Sequence, residues 1–124
     1  MASILAVDDS PSMRQLVSMT LRKAGHEVHS AEDGTDALSF AKEQGVDVVL
    51  TDIHMPNMDG ITLTAELRRL PSYRFTPILM LTTESSPDMK MRGKDAGATG
   101  WIVKPFDADA LLRILDRVLE PKRS

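Results

Sequence analysis

The sequence contains no cysteine, which excludes a disulfide scaffold, a zinc ribbon and a thiol enzyme together. Positive charge is not in excess either: 15 Lys and Arg stand against 18 Asp and Glu, a formal net charge of −3. With the basic residues scattered, the chain carries no electrostatic footprint for nucleic acid. Lys122 and Arg123 are too few for a polybasic tail. No apolar run approaches the roughly 18 residues of a membrane span. The apolar start, residues 4–7, is too short for a signal-peptide core and meets two aspartates. The expected setting is the cytoplasm, with neither nucleic acid nor membrane as partner. What is present, 42% hydrophobic and 27% charged residues over 124 positions, describes a soluble globular chain that can bury one ordinary core. A single domain over residues 1–124 is the expectation.

Short apolar runs alternate with helical periods. Ser3–Val7 is a run that ends at Asp8 and Asp9, as a buried strand feeding a loop would. Ser10-Pro11 supplies an N-cap and a proline at the first helical position. Met13, Leu16, Val17, Leu21 and Ala24 then recur at helical spacing up to Gly25. Glu27–Ala31 reads as a second strand, and the Asp33-Gly34 turn opens a short helix marked by Ala37, Leu38 and Ala41 that ends near Gly45. Residues 46–51 (VDVVLT) are the β-branched run of a central parallel strand, which meets Asp52 directly. Residues 52–60 (DIHMPNMDG) read as a loop, and Leu63, Leu67 and Leu70 mark a third helix. A fourth strand, residues 78–81, ends in Thr82 and Thr83. Ser86-Pro87 caps a fourth helix that reaches about Ala96 before Gly97. A fifth strand begins near Gly100 and carries Ile102 and Val103 into Lys104-Pro105. Asp107 caps a last helix with Leu111, Leu112, Leu115 and Leu119. Five β-α units with right-handed crossovers predict an α/β fold: a doubly wound, five-stranded parallel sheet with five helices on its two faces.

The fourth helix has a thin apolar face of Met89, Met91 and Ala96, and Gly93 costs it about 1 kcal/mol against alanine. A helix so weakly packed belongs to the low-stability end of a domain. Its amides are expected to exchange faster than those of the first helix; equal protection in both would contradict this. His26 and His29, near a helix end and on an outer strand, read as surface residues, and the methionines read as packing.

In open α/β sheets, sites form beyond the carboxyl ends of the strands, where strand order reverses. Asp8, Asp9, Asp52, Thr82 and Lys104 stand at those ends, so three carboxylates, a hydroxyl and an ammonium should meet at one edge. Crowded carboxylates repel. A divalent cation relieves this, and all-oxygen ligands favour magnesium or manganese over zinc. A metal beside a carboxylate suits phosphoryl transfer onto that carboxylate. Lys104 would offset the phosphoryl charge, and the Thr82 hydroxyl would donate to one of its oxygens. Plainer readings exist: Asp8 and Asp9 as acids favoured near a helix N-terminus, Asp52 as a turn former, Thr82 as strand, Lys104 as a solvated charge. His54 reads as an exposed loop histidine with a modest influence on the site.

This ordered set resembles the response-regulator receiver family. The resemblance is carried by Asp8-Asp9-Ser10, residues 52–60, Thr82 and Lys104-Pro105-Phe106, and the Ala31-Glu32-Asp33-Gly34 turn and Asp95-Ala96-Gly97-Ala98 also fit. It covers essentially the whole chain, and among receivers the chain is most similar to the single-domain chemotaxis (CheY-like) type, without an output domain. The resemblance implies a flavodoxin-like strand order, 2-1-3-4-5. It implies that Asp52 accepts a phosphoryl group from a histidine kinase. Mg²⁺ would be held directly by Asp9, Asp52 and the His54 main-chain carbonyl, and by Asp8 largely through water. Thr82 and Lys104 would bind phosphoryl oxygens, and Lys104-Pro105 would be a cis peptide.

It further implies a two-component signalling protein that catalyses its own phosphorylation and slow dephosphorylation and is not otherwise an enzyme. The face made by the fourth helix, fifth strand and fifth helix would bind a target, the flagellar motor switch being the chemotaxis example, and the unphosphorylated chain would be a monomer. Trp101 matches the switch aromatic, usually Tyr or Phe, which rotates inward as Thr82 moves toward the phosphoryl group; its plainer reading is an apolar anchor on a partner-binding face. Glu84 and His54 fall at positions that tune hydrolysis. A phosphate sink or shuttle is the alternative within signalling. An Mg²⁺-dependent aspartyl-phosphate phosphatase would carry a second aspartate where this chain has His54. A flavin or nucleotide binder would not place Asp8 and Asp9 in its first loop, where they repel an anion.

Overall fold

The computed structural model describes residues 2–120; Lys122 and Arg123 lie outside them. Ten elements alternate strictly: β1 (Ser3–Val7), α1 (Pro11–Lys23), β2 (Glu27–Ala31), α2 (Gly34–Glu43), β3 (Val48–Thr51), α3 (Gly60–Arg68), β4 (Ile78–Thr82), α4 (Pro87–Ala96), β5 (Gly100–Val103) and α5 (Ala108–Leu119), with a 3₁₀ turn at Pro71–Tyr73 before β4. All five α-helices start alike. Ser10, Asp33, Asp59, Ser86 and Asp107 each turn a side-chain oxygen onto the main-chain N–H three residues on, satisfying a donor that the helix itself leaves free.

The strands pair in parallel in the order β2-β1-β3-β4-β5, as the resemblance implied. Period-two alternation splits their side chains between two layers. Ile4, Ala6, Val48, Leu50, Leu79 and Leu81 pack with Val17 and Leu21 of α1 and Leu111 and Leu115 of α5. Leu5, Val7, Val49 and Ile78 face Ala37 and Ala41 of α2 and Leu63 and Leu67 of α3. Burial on both faces is why β3 and β4 read as unbroken apolar runs. By contrast, α4 buries only Gly93. An added Cβ there would stand 2.7 Å from Trp101 Cζ3, so the glycine that weakens the helix makes room for the indole.

Several expectations need correction. β3 begins at Val48 because its pairing with β1 starts at Ile4–Val48; before it, the Asp47 carboxylate accepts from the Ser3 N–H at 2.8 Å. β4 extends to Thr82. Leu70 lies beyond α3: the residue before Pro71 is pushed to extended backbone (φ −85°, ψ 124°). On α1, Leu16 is 51% exposed and Ala24 is the exposed C-cap, so the buried stripe is narrower than its apolar residues. Met19 and Met91 are likewise exposed, whereas Met80 is core. His26 and His29 are half-buried: His26 Nδ1 accepts from the Ala2 N–H, and the His29 ring lies 4.8 Å from that of Phe40.

Arg68, at the end of α3, acts as a rivet. Its guanidinium donates to the carbonyls of Gly97 at 3.0 Å and of Tyr73 and Thr76 at 2.6 Å each, and to Thr99 Oγ1 at 3.3 Å. The turn after α4 and the segment entering β4 are thereby tied to α3.

Candidate functional site

The hydrogen-bond ladder continues past the last strand residues and fixes the site. Asp8 donates its N–H to the Ala31 carbonyl, Asp52 to that of Val7, and Lys104 to that of Thr82, at 2.8–3.1 Å. Asp8 and Asp52 therefore leave adjacent strands side by side at the place where strand order reverses. Carboxylate oxygens of Asp8, Asp9 and Asp52 lie within 4.8 Å of one another. Lys104 Nζ donates to Asp8 Oδ2 at 2.6 Å and to Asp52 Oδ2 at 3.0 Å. Its side chain is only 8% exposed, which rules out the solvated-charge reading.

Burial would lower the Lys104 pKa, but hydrogen bonds from the ammonium to Asp8 and Asp52, and their charges, outweigh it and hold the group above its ordinary value. Asp52 Oδ1 accepts from the Ile53 N–H at 2.6 Å, so both oxygens of this carboxylate are oriented. Asp8 also accepts from the Ser10 N–H, and Arg14 grips the Asp8 carbonyl at 2.6 Å; the helix-terminus reading of Asp8 is true as well. Asp9 is exposed. This donor set, all oxygen and only partly neutralised by one lysine, fits a hard divalent cation.

Thr82 is fully buried and its Oγ1 accepts from the Glu84 N–H at 3.2 Å. Glu84 gathers the remaining candidates. Its carboxylate meets His54 Nε2 at 3.2 Å and the Ser86 N–H at 3.3 Å; these contacts, His54 first, hold it below the usual glutamate range. Its carbonyl accepts from the Trp101 indole N–H at 2.8 Å. His54 is exposed, as expected. Trp101 is half-buried, its ring against Gly93 and its polar atom tied back to the site loop. Lys104-Pro105 is cis.

A clasp missing from the sequence reading holds the loop after Asp52. Asn57 adopts left-handed backbone, φ 68°, and its amide donates to Asp33 Oδ2 at 2.7 Å. The Met58 carbonyl accepts from the Gly34 N–H. Asn tolerates this conformation, so PNMDG hinted at the turn, but nothing local names a partner 24 residues away. The Asp36 N–H, and then the Asn57 amide, keep the Asp33 carboxyl below its ordinary 3.8. A depressed carboxyl stabilises the fold above that value, and the contribution is lost as pH falls through the folded-state pKa. Asn57→Gly, which keeps the backbone and deletes the bond, is expected to cost about 1 kcal/mol at neutral pH. In urea titrations the deficit should shrink below about pH 4; a deficit that is flat with pH would refute the coupling.

A parallel sheet in this order with three acids and a buried lysine gathered at the ends of its strands defines an α/β domain with a polar site at one edge. The chain belongs to the response regulator receiver domain family, whose model matches residues 4–116. It is 39% identical to chemotaxis protein CheY-3 of Vibrio cholerae, covering 94% of this chain and 91% of that protein. It is 38% identical to protein PilH of Pseudomonas aeruginosa, covering 96% and 98%. The solved structure of V. cholerae CheY4 superposes with a TM-score of 0.92 at 54% identity, covering 96% of this chain and 99% of that one. The receiver domain of a P. aeruginosa sensor histidine kinase, TM-score 0.89 and 32% identity over 95% and 97% of the two chains, is described with a magnesium ion coordinated in its active site cleft. No helix among the described residues is long and apolar enough to cross a membrane.

Proposed function

We propose that this receiver domain accepts a phosphoryl group on Asp52 from a partner histidine kinase and signals by presenting its α4-β5-α5 face to a target, with chemotaxis as the pathway class. The observation that carries the reading is the buried Lys104 ammonium between Asp8 and Asp52. In the proposed step, an Asp52 carboxylate oxygen attacks phosphorus, the donor's P–N bond breaks, and the imidazole leaves with the electron pair. Lys104 balances the charge gained. Thr82 Oγ1 already accepts from Glu84, so its own proton is free to donate to a phosphoryl oxygen.

Asp9, Asp52 and the His54 main-chain carbonyl would hold Mg²⁺ directly, with Asp8 acting through water; bound there, the ion supplies neutralising charge to the phosphoryl oxygens. A Thr82 that turns toward the phosphoryl group gives up its contact with the Glu84 N–H. Glu84 in turn holds the Trp101 indole, so phosphorylation of Asp52 is coupled to the α4-β5 surface through one residue.

The test is intact mass after incubation with acetyl phosphate and Mg²⁺. A gain of one phosphoryl group is expected, lost with a chelator and absent in Asp52→Asn. No gain, or an equal gain in the variant, would overturn the assignment.

A further inference from the structure

Asp9 is the least supported member of the acid trio. It is exposed and, among the described residues, belongs to no ion pair. Asp8 beside it is held at every polar atom. Its N–H donates to the Ala31 carbonyl, and its carboxylate accepts from the Ser10 N–H at 2.9 Å and from Lys104 Nζ at 2.6 Å. Its carbonyl accepts from Arg14 Nη1 at 2.6 Å. That last contact bears on Asp9 more than on Asp8. A peptide unit is planar, so a fixed Asp8 carbonyl also fixes the plane that carries the Asp9 nitrogen. The Ser10 N–H, bonded to Asp8 Oδ1, fixes the next plane. Asp9 Cα therefore sits between two pinned planes, and its side chain leaves the backbone in a set direction.

The guanidinium is placed for this task. Arg14 stands in the first turns of α1, where its own N–H donates to the Ser10 carbonyl at 3.0 Å. It is half-buried and shares with Val7, Val17, Leu50 and Leu81 a void of only about 10 Å³, so the stem has little room to swing. Toward solvent it lines a groove of about 490 Å³ together with Glu32 and Asp36, yet among the described residues it pairs with neither. This cation is committed to a main-chain carbonyl.

We infer that Arg14 is a positioning residue for the acid trio: by holding the Asp8-Asp9 peptide it keeps the Asp9 carboxylate beside those of Asp8 and Asp52, ready to take a divalent cation. The inference rests on the proposed binding of Mg²⁺ by Asp9 and Asp52 and adds a residue that governs it without touching the ion. Charge alone gives the opposite sign. A guanidinium near three acids repels a cation, so its removal on that ground tightens Mg²⁺ binding. Loss of orientation loosens it, by about 10- to 100-fold where a group that supports a metal ligand is deleted. The direction of the change separates the two effects.

The test is calorimetric titration of the metal-free full chain with Mg²⁺, for the parent, Arg14→Met and Arg14→Lys. Methionine keeps the stem and deletes donor and charge. Lysine restores one donor on a stem of similar reach, which is all that a single N–H contact requires. Arg14→Met is expected to raise the Kd for Mg²⁺ by about tenfold, and Arg14→Lys to recover most of that loss. In backbone relaxation measured by NMR without the metal, the Asp9 amide should gain mobility in Arg14→Met, while the Asp8 amide, bonded to Ala31, should not. Tighter or unchanged Mg²⁺ binding in Arg14→Met overturns the inference, as does equal weakening in Arg14→Lys or a parent that binds no Mg²⁺. So does a lower melting temperature with unaltered affinity, the mark of a purely structural role. Where phosphoryl uptake is followed, Arg14→Met should need about ten times more Mg²⁺ for half its maximal rate and reach the parent's rate at saturation. Weakened Mg²⁺ binding in a chain that takes up no phosphoryl group sustains this inference and sinks the phosphorylation reading. Uptake by mass with Mg²⁺ affinity untouched in Arg14→Met does the reverse.

Discussion

Gly60→Ala is expected to destabilise the fold by about 3 kcal/mol and to lower the melting temperature by roughly 10 °C. A Cβ at this position would stand 2.0 Å from the Asp52 carbonyl oxygen and 3.1 Å from the Ile53 Cα. Neither is the tip of a flexible side chain, so relief requires the backbone of Asp52 itself to shift. The Gly60 N–H also donates to the Ile53 carbonyl at 2.9 Å, and the start of α3 is thereby pressed onto the loop that carries the site. The stability loss should come with a loss of phosphoryl uptake larger than the unfolded fraction explains, because a displacement of about 1 Å at a reacting group costs on the order of 100-fold. Calorimetry with rate measurement on the still-folded population separates the two. A variant that melts normally would show that the loop has slack this geometry does not suggest.

Lys104→Met is expected to reduce the rate of phosphoryl uptake by about 100-fold, the usual consequence of removing one fixed donor from an anionic transition state. It should also destabilise the metal-free protein by about 3 kcal/mol, because Asp8 and Asp52 are left close together with side chains only 8% and 14% exposed. That deficit should shrink on addition of millimolar Mg²⁺, since a cation among the three acids replaces the missing charge. Melting curves with and without the ion check this, and a deficit indifferent to Mg²⁺ would argue against a shared electrostatic role. In the parent protein the Lys104 pKa is raised above its ordinary 10.5. Its contribution is therefore complete below that pH and is lost as pH rises through the higher folded-state value, so parent and variant stabilities should converge in strong alkali.

The strand ends were legible because chemistry and periodicity agreed there: an apolar run with room for nothing but sheet stops at an acid, a threonine or a lysine. The helix starts were legible for the same reason, since Ser10, Ser86 and Asp107 announce themselves; Asp33 and Asp59 cap helices too but sit in segments that read equally well as turns. Boundaries set by neighbours were hidden. Val46 is as apolar as Val48, and only the pairing with Ile4 decides where β3 starts. Leu70 has helical spacing, but Pro71 and the 3₁₀ turn claim it. The site's composition could be read, whereas its bracing could not. Nothing local to Asn57, Arg68 or Glu84 says that their partners are Asp33, Gly97 and Trp101, because those bonds join loops that only the folded sheet brings together.

Arg68 clamps one end of α4 and leaves the other tied to the site loop alone. Its guanidinium holds the Gly97 carbonyl, while the Pro87 end is attached through Ser86 and Glu84 to the loop that also contacts Thr82 and Trp101. Ten residues make a rod of about 15 Å. A rod pinned at one tip does not slide; it pivots. A shift of the site loop therefore acts at the tip with the longest lever arm about the Gly97 pin, where the least force turns the helix, and the displacement dies away toward the pinned tip.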